Sequence, residues 1–144
     1  MTQFNAARMG SDRSGGAGTI LIVDDEDHIL HVLSVILRYS GYRVFAASSN
    51  EEALDLLSRF PAQLAVCDLH GTSADGVDLA SSLYADLRTR HIPVIVLTGH
   101  PVDSADALPP NVRCVISKPF SPRHVLHEVE RFAPRSTEAR ADAA

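Results

Sequence analysis

The feature that most constrains this chain is a regular alternation of short apolar runs with amphipathic segments. Five apolar runs of strand length lie at 19–24, 42–46, 63–67, 93–97 and 112–116. Runs that are apolar at nearly every position are typical of strands covered on both faces, as in parallel sheets. We therefore expect parallel strands connected by helices, which is an α/β fold with helices on both faces of the sheet.

The segments between these runs show the spacing of helices. Apolar residues recur at i, i+3, i+4, i+7 and i+8 from Ile29 to Leu37, which defines one face of a helix. Ser49 followed by Glu52 forms a capping box that opens a second helix, and Pro61 ends it. Further helices are predicted at 77–87 and from about 121 to 132.

One segment breaks the alternation. Residues 99–111, where a fourth helix is due, contain Pro101, Pro109 and Pro110, and proline is not tolerated inside a helix. We expect this helix to be short or disordered. Residues 1–18 and 134–144 are expected to be disordered tails because they have little apolar content, which leaves 19–133 as one folded domain.

Composition and charge exclude several kinds of protein. The 144 residues carry a formal net charge of −5 and no Lys/Arg cluster, so nucleic-acid binding is not expected, since it requires a positive surface. No apolar stretch approaches the ~20 residues that span a bilayer, and the N-terminus lacks a signal-peptide core. We predict a cytoplasmic protein with no membrane contact, in which Cys67 and Cys114 are buried free thiols.

Polar residues follow four of the apolar runs. Asp24-Asp25 ends the first run, Asp68 the third and Thr98 the fourth, and Lys118 follows the fifth. Because parallel strands end at one edge of the sheet, these side chains are expected to meet there, where open α/β folds place their ligand sites. Three carboxylates, a hydroxyl and an ammonium around one crevice suit a divalent metal and a phosphoryl group.

These residues resemble a known family. The order Asp24-Asp25, Asp68, Asp75-Gly76, Thr98-Gly99 and Lys118-Pro119, each at the end of the correct element, is similar to the receiver domain of two-component response regulators. The resemblance covers residues 19–133. It implies a doubly wound, flavodoxin-like sheet of five parallel strands in the order 2-1-3-4-5. The Pro-rich segment after Val96–His100 is similar to single-domain receivers whose fourth helix is degenerate.

The resemblance also implies a role for each site residue. Asp68 is the implied phosphoacceptor, and Thr98 and Lys118 would contact the phosphoryl oxygens. Mg²⁺ would be held by Asp25, Asp68 and the backbone carbonyl of His70, with Asp24 acting mainly through bound water. The Lys118-Pro119 peptide is expected to be cis.

Elementary electrostatics leads to the same assignment. Two carboxylates ~4 Å apart repel by about 4 kcal/mol at an effective dielectric constant near 20, so an acidic cluster needs a cation. A hard ion that prefers oxygen ligands fits Mg²⁺. The metal and Lys118 would neutralise the charge that develops during phosphoryl transfer.

The implied function is a single-domain response regulator. It would accept a phosphoryl group from a sensor histidine kinase or a histidine phosphotransfer protein and relay the signal by contact with a downstream protein target. It would catalyse only its own phosphorylation and dephosphorylation. Two alternatives remain open, an aspartyl-phosphate hydrolase of the haloacid dehalogenase type and a receiver-fold module that binds partners without phosphorylation. The hydrolase motif Asp-x-Asp is absent at Asp68-Leu69-His70, which argues against the first.

Overall fold

The structure is a computed structural model that describes residues 18–69, 75–99 and 108–134. The five strands are β1 Thr19–Val23, β2 Arg43–Ala47, β3 Leu64–Leu69, β4 Val94–Thr98 and β5 Val112–Ser117. The four helices of the described residues are α1 Asp27–Tyr39, α2 Asn50–Arg59, α3 Asp75–Ala85 and α4 Pro122–Phe132. From β1 to β4, strands and helices alternate along the chain, as their sequence periods predict.

The strands form one parallel sheet in the order β2-β1-β3-β4-β5. This confirms the predicted fold class and strand order. Because every strand points the same way, the carboxyl ends of β1, β3, β4 and β5 share one edge. The register places Asp68 opposite Leu97, and Thr98 opposite Ser117.

Helices cover both faces of the sheet, which confirms the doubly wound arrangement. On one face, Ile20 and Ile22 pack in a cluster with residues of α1 and α4, among them Leu37 and Val129. On the other face, Leu21 packs in a second cluster with residues of α2 and α3. Adjacent β1 residues enter opposite clusters because successive side chains of a strand point to opposite faces.

The start of α2 is capped by side chains close by in the sequence. The Ser49 hydroxyl accepts a hydrogen bond from the Glu52 backbone N–H at 3.1 Å. The Glu52 carboxylate in turn accepts from the Ser48 backbone N–H at 2.9 Å. The predicted capping box is therefore present, with its return bond shifted by one residue. It satisfies backbone donors that the first helical turn leaves free.

The third helix ends earlier than its apolar pattern predicts. We expected Leu87 on the buried face, but α3 ends at Ala85 and Leu87 is 78% exposed. The Thr89 hydroxyl donates to the Leu83 carbonyl at 2.7 Å, and the Arg90 side chain donates to the Tyr84 carbonyl at 2.9 Å. These bonds cap the last turn and direct the chain into β4, which the apolar spacing alone does not reveal.

Several predictions concern other parts of the chain. The expected short helix falls mainly on residues 100–107, and the expected tails on 1–17 and 135–144, all of which lie outside the described residues. Both cysteines are free thiols, as predicted, with Cys67 buried on β3 and Cys114 only half-buried on β5. Among the described helices, none is long and apolar enough to cross a membrane.

Candidate functional site

The predicted site residues meet at the carboxyl edge of the sheet. Asp24 follows β1, Asp68 is the second-to-last residue of β3, Thr98 ends β4, and Lys118 follows β5. The first three are buried polar residues, with Asp24, Asp68 and Thr98 exposed by 2%, 5% and 1%. Buried polar groups are costly unless they are partnered or serve a ligand. Their convergence at one edge therefore identifies the candidate site.

The strongest contact in the site joins Lys118 to Asp68. The Lys118 ammonium donates to one carboxylate oxygen of Asp68, with Nζ and Oδ2 2.6 Å apart. The Asp68 side chain is fully buried, and that of Lys118 is 23% exposed. The Lys118 backbone N–H also donates to the Thr98 carbonyl at 2.7 Å. Lys118 thus links the ends of β3, β4 and β5.

Asp24 is held by the backbone and lies beside Asp68. Its N–H donates to the Ala47 carbonyl at 3.1 Å, and its Oδ1 accepts from the Glu26 N–H at 2.8 Å. Burial raises the pKa of Asp24 well above its ordinary value, and the neighbouring Asp68 carboxylate adds to this increase. The pKa is raised because two adjacent buried carboxylates cannot both ionise cheaply.

Two carboxylate oxygens of the site suit a metal ion. Asp24 Oδ2 and Asp68 Oδ1 are buried and have no hydrogen-bond partner within the described residues. Hard oxygen donors of this kind are the ligands that Mg²⁺ prefers. The donor chemistry therefore fits the metal that the sequence suggested, with Asp24 and Asp68 as the two oxygen donors that the fold brings together.

The other two predicted ligands are placed differently. Asp25 is exposed, one residue beyond the buried Asp24, and the carbonyl of His70 lies outside the described residues. In the part of the chain that the structure covers, no group of three or more His, Cys, Asp or Glu side chains is arranged to hold a metal ion. The protein side chains thus supply a partial coordination shell, as is usual for Mg²⁺, which keeps several waters.

Two neighbours of the site matter for its chemistry. The Lys118-Pro119 peptide is cis, as the resemblance implied. Burial raises the pKa of the Cys67 thiol to about 12. Cys67 therefore stays the neutral thiol at neutral pH and lacks the thiolate, which is the nucleophilic form of cysteine.

Sequence reasoning missed a groove beside the site. It has a volume of about 530 Å³ and lies between the start of α1 and the connection from β5 to α4. Lys118 and Gly99 belong to its lining, together with Val32 and Phe120. The apolar spacing of α1 included Val32 but assigned it to the core, because a pattern within one helix does not show where a neighbouring loop leaves space.

Replacing Asp24 by Asn is expected to stabilise the Mg²⁺-free protein at alkaline pH. A folded-state pKa above the unfolded value means that the native state holds a proton more tightly. Wild type therefore loses stability as pH rises from the unfolded-state pKa of Asp24 toward its folded-state pKa. Asn supplies a permanent N–H donor and no charge. We expect Asp24→Asn to raise the free energy of unfolding at about pH 8 by at least about 1.4 kcal/mol, the equivalent of one pKa unit.

Urea denaturation of both proteins with EDTA, between about pH 5 and pH 8, measures this difference. Carboxylates away from the site contribute equally to the two proteins, so the difference between the curves reports residue 24 and its interaction with Asp68. A difference that stays constant with pH would show that Asp24 does not hold a proton in the folded state.

The sequence of this chain is similar to those of known proteins. The family model of the response regulator receiver domain matches residues 20–130. The phosphate regulon transcriptional regulatory protein PhoB of Pseudomonas aeruginosa is 35% identical over 129 residues, which cover 84% of this chain and 56% of PhoB. Response regulator GtcR of Aneurinibacillus migulanus is 31% identical over 122 residues, covering 83% of this chain and 49% of GtcR. The chain thus spans about half the length of these relatives.

Solved structures of response regulator proteins have a similar fold. A putative response regulator from Chloroflexus aurantiacus superposes with a TM-score of 0.70 at 30% identity, covering 81% of this chain and 97% of that one. A CheY-like receiver domain protein from Methanospirillum hungatei gives a TM-score of 0.69 at 27% identity, covering 80% and 92% of the two chains.

Fold and site together define a flavodoxin-like α/β domain with a buried carboxylate–ammonium pair at the carboxyl edge of its sheet. The chain belongs to the response regulator receiver domain family of two-component systems.

Proposed function

We propose that this chain is a phosphoryl-accepting receiver in which Asp68 is the phosphoacceptor. The observation that carries this proposal is the buried pair of Asp68 and Lys118, 2.6 Å apart and beside a second buried carboxylate, Asp24. A fully buried carboxylate paired with one cation and left with an unpartnered oxygen is unusual in a core. It suits a nucleophile that must be held in place and kept from bulk water.

Each residue of the site would have a separate role in phosphoryl transfer. Asp68 supplies the attacking carboxylate oxygen, and Lys118 donates hydrogen bonds to charge that develops on the phosphoryl oxygens. Thr98, buried at the end of β4, would donate its hydroxyl to another of these oxygens. Mg²⁺ held by Asp24, Asp25, Asp68 and the His70 carbonyl would supply further neutralisation of the phosphoryl charge.

Phosphorylation would change the contacts of Lys118. The ammonium now binds the Asp68 carboxylate, and an added phosphoryl group presents more negative charge at the same place. The Lys118 backbone N–H also donates to the Thr98 carbonyl at the end of β4. A new partner for its ammonium therefore changes the edge of the sheet that carries β5, which is how a local charge becomes a signal.

Receiver domains act with histidine kinases or histidine phosphotransfer proteins. We propose such a phosphohistidine protein as the donor and a protein contact in the cytoplasm as the output of this chain. Its catalysis would be confined to gaining and losing its own phosphoryl group. No external product is expected.

The test is labelling of the whole chain with acetyl phosphate and Mg²⁺. We expect one phosphoryl group per chain by intact mass, lost on adding EDTA before the donor, and borohydride reduction should locate it at Asp68. Labelling at another residue would contradict the assignment. Failure to label under conditions that label a known receiver would favour a module that binds partners without phosphorylation.

A further inference from the structure

The two edge strands of the sheet differ in how well they are covered. β2 and β5 each pair with one neighbour in the described part of the chain. No residue of β2 is exposed. In β5, by contrast, every second residue is exposed, namely Arg113, Val115 and Ser117. β5 is therefore the open edge of this sheet.

The backbone of β5 offers hydrogen-bonding groups at this edge. The Lys118 N–H donates to the Thr98 carbonyl of β4 at 2.7 Å. Because the backbone groups of successive residues in a strand alternate in direction, those of Ile116 also point toward β4, and those of Val115 and Ser117 point away from it. Among the described residues, no strand lies on that side of β5. Val115 and Ser117 therefore present their N–H and C=O groups to an added strand.

The usual protection of an edge strand covers only the start of β5. Bulges and charged side chains are common devices against unwanted strand pairing. The register of β5 with β4 skips the charged residue Arg113, which marks an irregularity at this point. From Cys114 to Ser117 the register is regular again. This second part of the edge keeps the geometry that strand pairing requires.

The surface around this edge is positively charged. Residues 112–134 contain four Arg and Lys residues against two Glu, in a chain whose net charge is −5. Burial and the Glu128 carboxylate raise the pKa of the Cys114 thiol, and the Arg131 guanidinium opposes this increase, so Arg131 lies beside β5. Arg131 also binds Glu128 at 3.3 Å, but its side chain is 65% exposed. A guanidinium has further N–H donors for a second acid.

We propose that the open edge of β5 binds an extended, acidic segment of a partner protein, which adds to the sheet as a strand. Backbone hydrogen bonds to Val115 and Ser117 supply the affinity, and Arg113 and Arg131 select acidic side chains. A second copy of this chain fits the edge less well, since pairing β5 with β5 brings like charges together. The inference goes beyond the proposed function, because it concerns the unphosphorylated chain and does not depend on Asp68.

The test is binding of a synthetic peptide to the whole unphosphorylated chain. The probe is a short peptide of alternating Glu and Val residues with blocked termini. We expect slower amide hydrogen exchange at Val115 and Ser117, followed by NMR, when this peptide is added. The same peptide with Lys in place of Glu should bind about tenfold more weakly, because its charges repel those of the edge. An N-methylated Glu-Val peptide keeps its charges but cannot donate backbone hydrogen bonds, and it should also bind about tenfold more weakly.

Two variants test the edge from the side of the protein. Val115→Pro removes an N–H that points away from β4, and proline is tolerated on edge strands, so the dissociation constant of the Glu-Val peptide should rise about fivefold. Arg113→Glu should weaken binding of this peptide and favour the Lys-Val peptide. Arg88→Glu is the matched control, since the Arg88 side chain is 85% exposed and lies outside β5 and α4. It should bind like wild type.

Unchanged exchange at Val115, equal binding of the Glu and Lys peptides, or equal binding of the N-methylated peptide would each overturn this inference. Protection of the Val115 amide that rises with protein concentration, without peptide, would assign the edge to a second copy of this chain and overturn it as well. No phosphoryl donor is present in these measurements, so their failure leaves the role of Asp68 intact. The labelling experiment tests that role separately.

Discussion

Replacing Asp68 by Asn should abolish Mg²⁺-dependent labelling by phosphoryl donors, by at least about 10³-fold in initial rate, which is the scale of loss when a nucleophile is removed. The amide has nearly the volume of the carboxylate but lacks its nucleophilic oxygen anion. The measurement is the initial rate of phosphoryl incorporation, by intact mass, from acetyl phosphate and from a phosphorylated histidine protein.

The loss should not result from unfolding. Asp68→Asn keeps the volume of the side chain, and Lys118, whose side chain is 23% exposed, can return its ammonium to water. The fold should therefore be kept, which urea denaturation without Mg²⁺ can verify. Asp86→Asn provides a matched control, since Asp86 is a surface acid paired with Arg88 and should label like wild type. Persistent labelling of Asp68→Asn would assign the phosphoacceptor to another side chain.

Replacing Lys118 by Met should destabilise the Mg²⁺-free protein by about 2–3 kcal/mol at neutral pH, because breaking a buried ion pair leaves an uncompensated charge. Met keeps most of the side-chain volume, so the loss reports the ammonium. The Asp68 side chain is fully buried, while partial exposure of Lys118 places the expected loss below that of a fully buried pair. Urea denaturation at pH 7 with EDTA measures it.

A double-mutant cycle separates the pair from other effects. If the cost of Lys118→Met comes from the charge on Asp68, the same change in an Asp68→Asn background should cost less than about 1 kcal/mol. Arg88→Met is the surface control. It removes an ion pair whose side chains are 85% and 42% exposed, so the free energy of unfolding should change little because solvent screens the pair. Equal costs for Lys118→Met in both backgrounds would show that its ammonium does not neutralise Asp68.

The local sequence predicted the strands and helices and the positions of the site residues. Ile20 and Leu21 are both buried because β1 is covered on both faces, so the run reads as continuously apolar. The Ser49 cap depends on two residues that are three positions apart in the chain, so it can be predicted from the sequence alone. Asp24, Asp68 and Thr98 were placed correctly because each directly follows or ends an apolar strand.

Properties that depend on contacts between distant segments were not readable in the same way. Asp24 and Asp25 are adjacent acids in the sequence, yet the fold buries the first and exposes the second. The raised pKa of Asp24 arises from burial and from Asp68, which is far away in the chain. Leu87 matched the spacing of a helix that had already ended. The groove beside Lys118 exists only where α1 meets the segment after β5.

The amino-acid sequence by itself determined the kinds of element, their order and which polar residues end the strands, because backbone propensity and burial pattern act over a few neighbours. Tertiary structure alone decided which carboxylate keeps a proton, which oxygen of Asp68 remains without a partner, and where space is left beside Lys118. Those properties follow from desolvation and from charges brought together across the sheet, and both depend on distance in space rather than along the chain.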